Sequence, residues 1–146
     1  MKVDTNGLEV LEPPECAMLL GSVPIGRVVF TDRALPAVQP VAFVLDDRGD
    51  VIIRTQPGSK LAAATRGAIV AFEVDDFDVV ARTGWSVTAV GPAGAVRDPA
   101  ERERLSRLPL RPWLPGPCEH YIRIQCRQLS GRRILPVPAV LADRVA

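Results

Sequence analysis

The sequence predicts a mainly β fold of the α+β class, a small antiparallel barrel with short helices at its ends. Three observations carry this expectation. Six or seven β-rich segments can be marked off along the 146 residues, separated by turn residues. Most connections between them are too short for the crossovers that parallel strands need. Three short segments carry helix start and stop signals, too few and too small for a doubly wound sheet. With 47% hydrophobic and 24% charged residues, the chain has enough apolar surface for one core. We read residues 1–146 as a single domain.

The elements follow in order. Glu12-Pro13-Pro14-Glu15 leading into Cys16–Gly21 reads as a helix with its prolines in the first turn and Gly21 as its stop. Ile25 to Thr31 is β-branched and ends at Asp32-Arg33. Ala37 to Leu45 is an apolar strand closed by the hairpin-like turn Asp46–Asp50. Val51 to Thr55 is the next strand, broken by Gln56-Pro57-Gly58. Ser59 caps a helix through Leu61–Ala64 that stops at Gly67. Ala68 to Val74 is a strand, and the acidic run Asp75-Asp76-Phe77-Asp78 reads as the turn out of it. Gly84 to Val90 is a strand, broken at Gly91-Pro92 and resumed from Ala93 to Val96. Asp98-Pro99 opens a third helix to about Leu108. After a proline-rich loop, His120 to Leu129 reads as one last strand. Pro136 and Pro138 leave residues 135–146 as a tail.

Composition excludes several classes of function. Eighteen basic and 17 acidic residues give a net charge of +1, so no partnership with nucleic acid through bulk charge is expected. No uncharged apolar run approaches the roughly 20 residues of a membrane helix, and the N-terminus has no signal-peptide pattern. The odd set Cys16, Cys118 and Cys126 reads as reduced thiols in a cytoplasmic protein. Cys118, His120 and Cys126 share parity but lack a C-x-x-C pair, so no metal is expected. Sixteen of the basic residues are Arg. Lys2 lies near the terminus, which leaves Lys60 as the one lysine in the body of the chain.

That lysine falls in the most informative segment, Arg54-Thr55-Gln56-Pro57-Gly58-Ser59-Lys60. A strand ends in a guanidinium and a hydroxyl, a glycine turn follows, and a helix starts with Ser and Lys. These groups suit a phosphate. They also suit an ordinary capped helix with two solvated charges. The segment is not a Walker loop, because Ser59 separates Gly58 from Lys60. In Thr83-Gly84-Trp85-Ser86-Val87, Trp85 and Ser86 face opposite sides of a strand. Trp85 fits ligand contact and plain packing alike. Arg102, Arg104, Arg107 and Arg111 interleave with Glu101 and Glu103, which reads as a solvated, paired face. Arg111-Pro112-Trp113 suits a lid over a stacked ring, or a partner contact.

Taken in order, the helix, the three strands, Arg54-Thr55…Gly58-Ser59-Lys60-Leu61 and Gly84-Trp85-Ser86-Val87 resemble the split β-barrel flavoproteins. These are the pyridoxamine 5′-phosphate oxidase-like proteins, including their short nitroimidazole-reductase-like branch. The resemblance spans about residues 10–134. It implies a six- to seven-stranded antiparallel split β-barrel with short flanking helices. It also implies a homodimer with two flavin sites at its interface, and an oxidoreductase acting on a small-molecule substrate. By the same resemblance FMN is the expected cofactor, its phosphate held by Arg54, Thr55, Ser59 and Lys60. The ring would lie along Gln39, Pro40 and Val41, with Trp85 and Ser86 near it and Trp113 as a cover. A deazaflavin coenzyme is the alternative cofactor, and a non-catalytic flavin-binding or sensing module the alternative role. No general acid or base stands out. The C-terminal substrate-binding region of the vitamin B6 oxidase has no counterpart here, so oxidation of pyridoxamine phosphate itself is not expected.

Overall fold

A six-stranded ring organises the molecule, and one bent strand belongs to both of its halves. The computed structural model describes residues 1–113 and 115–137. Leu114 and residues 138–146, most of the expected tail, lie outside the described residues. The elements are β1 (Lys2–Val3), β2 (Glu9–Val10), α1 (Pro13–Leu20), β3 (Ile25–Asp32), β4 (Leu35–Ala42), β5 (Val44–Leu45) and β6 (Val51–Thr55). Then come α2 (Lys60–Ala64), β7 (Ile69–Asp78), β8 (Thr83–Ala95), α3 (Pro99–Ser106), β9 (His120–Ile124) and β10 (Gln128–Ile134).

All recorded pairings are antiparallel. One sheet runs β1-β2-β10-β8-β7-β3-β4, and β5-β6-β9 joins it through the end of β8. The chain passes from β4 to β5 through Phe43, whose N–H donates to the Pro24 carbonyl at 3.3 Å. The ring β3, β4/β5, β6, β9, β8, β7 is therefore completed by chain continuity, not by an unbroken ladder. This is a β-rich split barrel with three short helices.

Alternation on the strands fills its centre. Val28, Val51, Ile53, Phe72, Val74, Val87, Ile122 and Ile124 are fully buried, and Phe43 meets Phe72 edge to face at 4.7 Å. Cys16 and Leu20 of α1 join this core. A second cluster lies outside β6 and β9, where Leu105 of α3 and Leu110 pack on Ile52 and Tyr121. Arg123 of β9 pairs with Asp46, Asp50 and Glu101, tying the β5–β6 turn and α3 to the barrel.

Local signals place the helices well. Ser59 accepts from the Ala62 N–H at 3.0 Å, Asp98 from the Glu101 N–H at 3.3 Å, and Pro13 and Pro14 start α1. The strands differ in several places. Asp75–Asp78 continues β7 instead of turning, because each residue pairs across to β8 and Arg27 meets both Glu73 and Asp75. Gly91-Pro92 bends β8 without ending it, and there β8 passes from one sheet to the other. The expected single strand His120–Leu129 is two strands with a corner at Gln125–Arg127. That corner follows the bend, with Gln125 N–H donating to Pro92 O at 3.0 Å and Arg127 N–H to Val90 O at 3.2 Å. A Cβ on Gly91 would stand 1.6 Å from the Gln125 carbonyl oxygen, so only glycine admits this contact. Phe43 divides the expected strand Ala37–Leu45. The short β1 and β2 carry no sequence signal of their own.

Candidate functional site

The end of β6 brings the sequence-selected residues together. Gln39, Pro40, Val41, Arg54, Thr55 and Trp113 line one cleft of about 170 Å³, with Ile25, Ala42 and Pro112. β4 forms one wall. It is an edge strand, which admits Pro36 and Pro40 without breaking a ladder. The loop after α3 forms the cover, with Trp113 76% exposed above the cleft.

Arg54 holds that cover in place. Its Nε donates to the Cys118 carbonyl at 3.0 Å and its Nη1 to the Leu110 carbonyl at 3.3 Å. Its guanidinium carbon lies 5.3 Å from the Tyr121 ring centre. Both ends of the loop are thereby fastened to β6, and Gln56 adds a bond to the Pro115 carbonyl at 2.8 Å. Among the described residues, Nη2 of Arg54 has no partner.

Thr55 is buried, and its hydroxyl lies 3.2 Å from that of Ser59, the cap of α2. Gly58 makes the intervening turn at φ 81°, the left-handed region where glycine is at ease. Lys60 is exposed and makes no ion pair among the described residues. Thr55 thus lines the cleft with the Ser59 hydroxyl beside its own, and Lys60 follows as the first residue of α2. Trp85 and Ser86 do not line the cleft. Ser86 lies between Asp75 and Arg132 on the sheet face, while Trp85 lies between Asp76 and Arg133. Trp85 lines a broader groove of about 750 Å³ that carries Asp76 and Asp78 and none of the other selected residues.

A residue that the sequence reading left aside stands next to the turn. His120 is the cross-strand partner of Thr55. It lines a hollow of about 490 Å³ with Pro57, Gly58, Arg66, Gly67 and Arg97. Its Nε2 is buried without a partner among the described residues. Burial, then the charges of Arg97 and Arg102, lower its pKa. Sixty-four residues separate His120 from Gln56, so no local spacing links them. The shared parity of Cys118, His120 and Cys126 was the one available signal, and without a C-x-x-C pair it named no role for His120. No group of three or more His, Cys, Asp or Glu among the described residues is placed to hold a metal ion.

Two further points bear on the electrostatics. Burial, and then the neighbouring Asp75, push Glu73 up, while hydrogen bonds with Glu73 and Arg27 hold Asp75 down. Of the arginines read as a paired face, Arg104 meets Glu101 and Arg107 lies 3.4 Å from Glu103, whereas Arg102 donates to the Glu119 carbonyl at 2.8 Å.

A ring split between two sheets, opening into a cleft at one strand end, defines the molecule as a split-barrel protein. The profile of the family described as pyridoxamine 5′-phosphate oxidase matches residues 12–133, and the chain belongs to that family. An uncharacterised protein of Mycobacterium tuberculosis is 42% identical over 130 residues, covering 86% of this chain and 84% of its own. The solved structure of an FAD-binding protein from Mycobacterium smegmatis is 38% identical. It superposes with a TM-score of 0.72 over 86% of this chain and 96% of its own. A conserved protein of unknown function from Corynebacterium diphtheriae is 34% identical, with a TM-score of 0.71 over 88% and 98%.

Proposed function

We propose that the protein binds a flavin nucleotide in the cleft between β4, β6 and the Pro112–Trp113 loop and acts there as an oxidoreductase on a small substrate. One observation carries the reading: six residues selected from three distant segments line a single cleft, and one of them, Thr55, shares a hydroxyl contact with Ser59, the cap of the next helix. The FAD-binding relative supports it.

In this reading the FMN moiety, common to FMN and FAD, is held through its ring and its phosphate. Gln39, Pro40 and Val41 lie along the ring, with Trp113 over it. Thr55, Ser59 and Lys60 receive the phosphate, and Nη2 of Arg54 is available to it. A phosphate ester carries about −1.5 to −2 charge, so an unpaired ammonium there is a charge-assisted donor. The flavin, when bound, supplies hydride and electron chemistry, and the chain supplies orientation and exclusion of water.

We further propose a cytoplasmic homodimer. Ligand sites run at roughly 300–1,000 Å³, and the cleft of one chain offers only about 170 Å³. Val29 and Val38 lie opposite each other on the outer face of β3 and β4, 37% and 64% exposed, and suit burial against a second copy. Trp85 and Ser86 line no part of their own chain's cleft, so a role for them at the ring requires that copy. The free thiols Cys16, Cys118 and Cys126 suit a reducing compartment.

The test is a visible spectrum and mass of whatever co-purifies, followed by FMN titration of wild type and Lys60→Ala. Loss of one charged contact, about 1.5–3 kcal/mol, predicts affinity weakened about 10- to 100-fold. An unchanged affinity overturns the phosphate assignment. A colourless protein that takes up neither FMN nor FAD overturns the flavin reading, and tighter binding of a deazaflavin coenzyme replaces the cofactor.

A further inference from the structure

We propose that the hollow lined by Arg66, Arg97 and His120 binds a small organic polycarboxylate, at a site separate from the flavin cleft. The hollow and the cleft have no lining residue in common, and the proposal does not rest on the flavin reading.

Three distant segments build the hollow. α2 ends at Ala64, and Gly67 turns the chain at φ 78°. Its N–H donates to the Ala93 carbonyl at 2.7 Å, and the Ala93 N–H donates to the Ala68 carbonyl at 2.9 Å. That clasp holds the Arg66 segment against the end of β8. Further along, the Val96 N–H donates to the Tyr121 carbonyl at 2.9 Å, which ties the neighbour of Arg97 to the neighbour of His120.

The positive charge gathered there is uncompensated. Arg66 and Arg97 are exposed and make no ion pair or side-chain hydrogen bond among the described residues. No carboxylate lines the hollow. His120 Nε2 is buried without a partner among the described residues, and a buried polar atom calls for one. Burial, then the charges of Arg97 and Arg102, hold the imidazole below its ordinary pKa, so its free nitrogen serves as a neutral hydrogen-bonding group. Arg102 itself is engaged with the Glu119 carbonyl. A guanidinium fork matches a carboxylate in plane and spacing. Two unpaired forks suit a ligand with more than one carboxylate.

The rest of the lining favours an organic anion over a bare oxyanion. Pro57, Ala62 and Ala95 present carbon to the hollow. The Thr65 hydroxyl donates to the Leu61 carbonyl at 2.7 Å, so its proton is already used. A Cβ built on Gly58 or on Gly94 meets nothing within 4 Å, which leaves room for a carbon skeleton. The volume of about 490 Å³ lies within the usual range for a small-molecule site.

The test follows the imidazole signal of His120, the chain's single histidine, by NMR as citrate is added at fixed pH and ionic strength. Wild type should show a saturable shift, and calorimetry should return the same affinity. Arg97→Gln should weaken binding about tenfold or more. Gly94→Leu, which fills the open space over β8, should abolish it. Melting temperatures check that both variants fold. Lys60→Ala, at the position proposed for the flavin phosphate, should bind citrate as wild type does. No saturable shift in wild type overturns the proposal. An affinity that Arg97→Gln leaves unchanged overturns it, as does one that Lys60→Ala lowers equally, because citrate would then occupy the cleft. Inorganic sulfate bound as tightly as citrate overturns the assignment to an organic anion.

Discussion

Arg54→Lys separates charge from geometry at the one arginine that touches both ends of the covering loop. Lysine keeps the positive charge for a phosphate but cannot reach the Cys118 and Leu110 carbonyls with a planar fork. A single ammonium can restore one of those bonds. The other, a hydrogen bond from a charged group, is worth about 1.5–3 kcal/mol. The stack on Tyr121 adds about 0.5–1 kcal/mol. At the low end the loss is about 2 kcal/mol, which for a chain of this length lowers Tm by about 4–8 °C. Thermal melts monitored by circular dichroism measure it. Limited trypsin digestion gives an independent reading, because Arg107 and Arg111 lie in or beside the loop and should be cut faster once it is unfastened. A variant with the wild-type Tm and an unaltered cleavage pattern would refute the assignment of Arg54 as the loop's fastening.

Three other outcomes follow from named contacts. Gly91→Ala should cost at least about 3 kcal/mol, because its Cβ overlaps the Gln125 carbonyl, whereas Gly94→Ala should be tolerated; urea denaturation compares them. Asp46→Asn should cost about 1–3 kcal/mol at neutral pH. Partial burial opposes its charge, but the hydrogen bonds from Arg123 and from the Asp50 and Arg48 N–H groups hold its pKa below the usual value of 3.8. Its contribution is therefore present above that value and lost as pH falls through the lower, folded one. The gap between wild type and variant should close in strong acid, and denaturation across pH reads it. Val38→Lys puts a charge on the exposed face of the edge strand and should turn a dimer into a monomer by solution mass, without lowering Tm in the monomer.

What the sequence discloses divides along local and non-local lines. Helix ends were legible because their causes sit within four residues: Ser59 with Ala62, Asp98 with Glu101, Pro13 and Pro14 with their own missing N–H groups. The Asp75–Asp78 run misled because aspartate disfavours strands. What holds it extended is Arg27, 48 residues away, and the facing strand. The bend at Gly91-Pro92 looked like an end because the corner that accepts it comes 33 residues later. Of the site, the Arg54–Lys60 segment announced itself by composition. His120 did not, because only the β6–β9 register sets it beside Thr55.

The shared strand has a consequence for how the molecule opens. β8 is hydrogen-bonded to β7 and β10 along most of its length and to β9 at its end. Neither half of the barrel can come apart while the other keeps that strand, so the two should melt as one cooperative unit. Amide protons of Val87 and Ala89, fully buried at its centre, should then exchange with solvent only through global unfolding. Those of the short β1–β2 pair should exchange through local fraying.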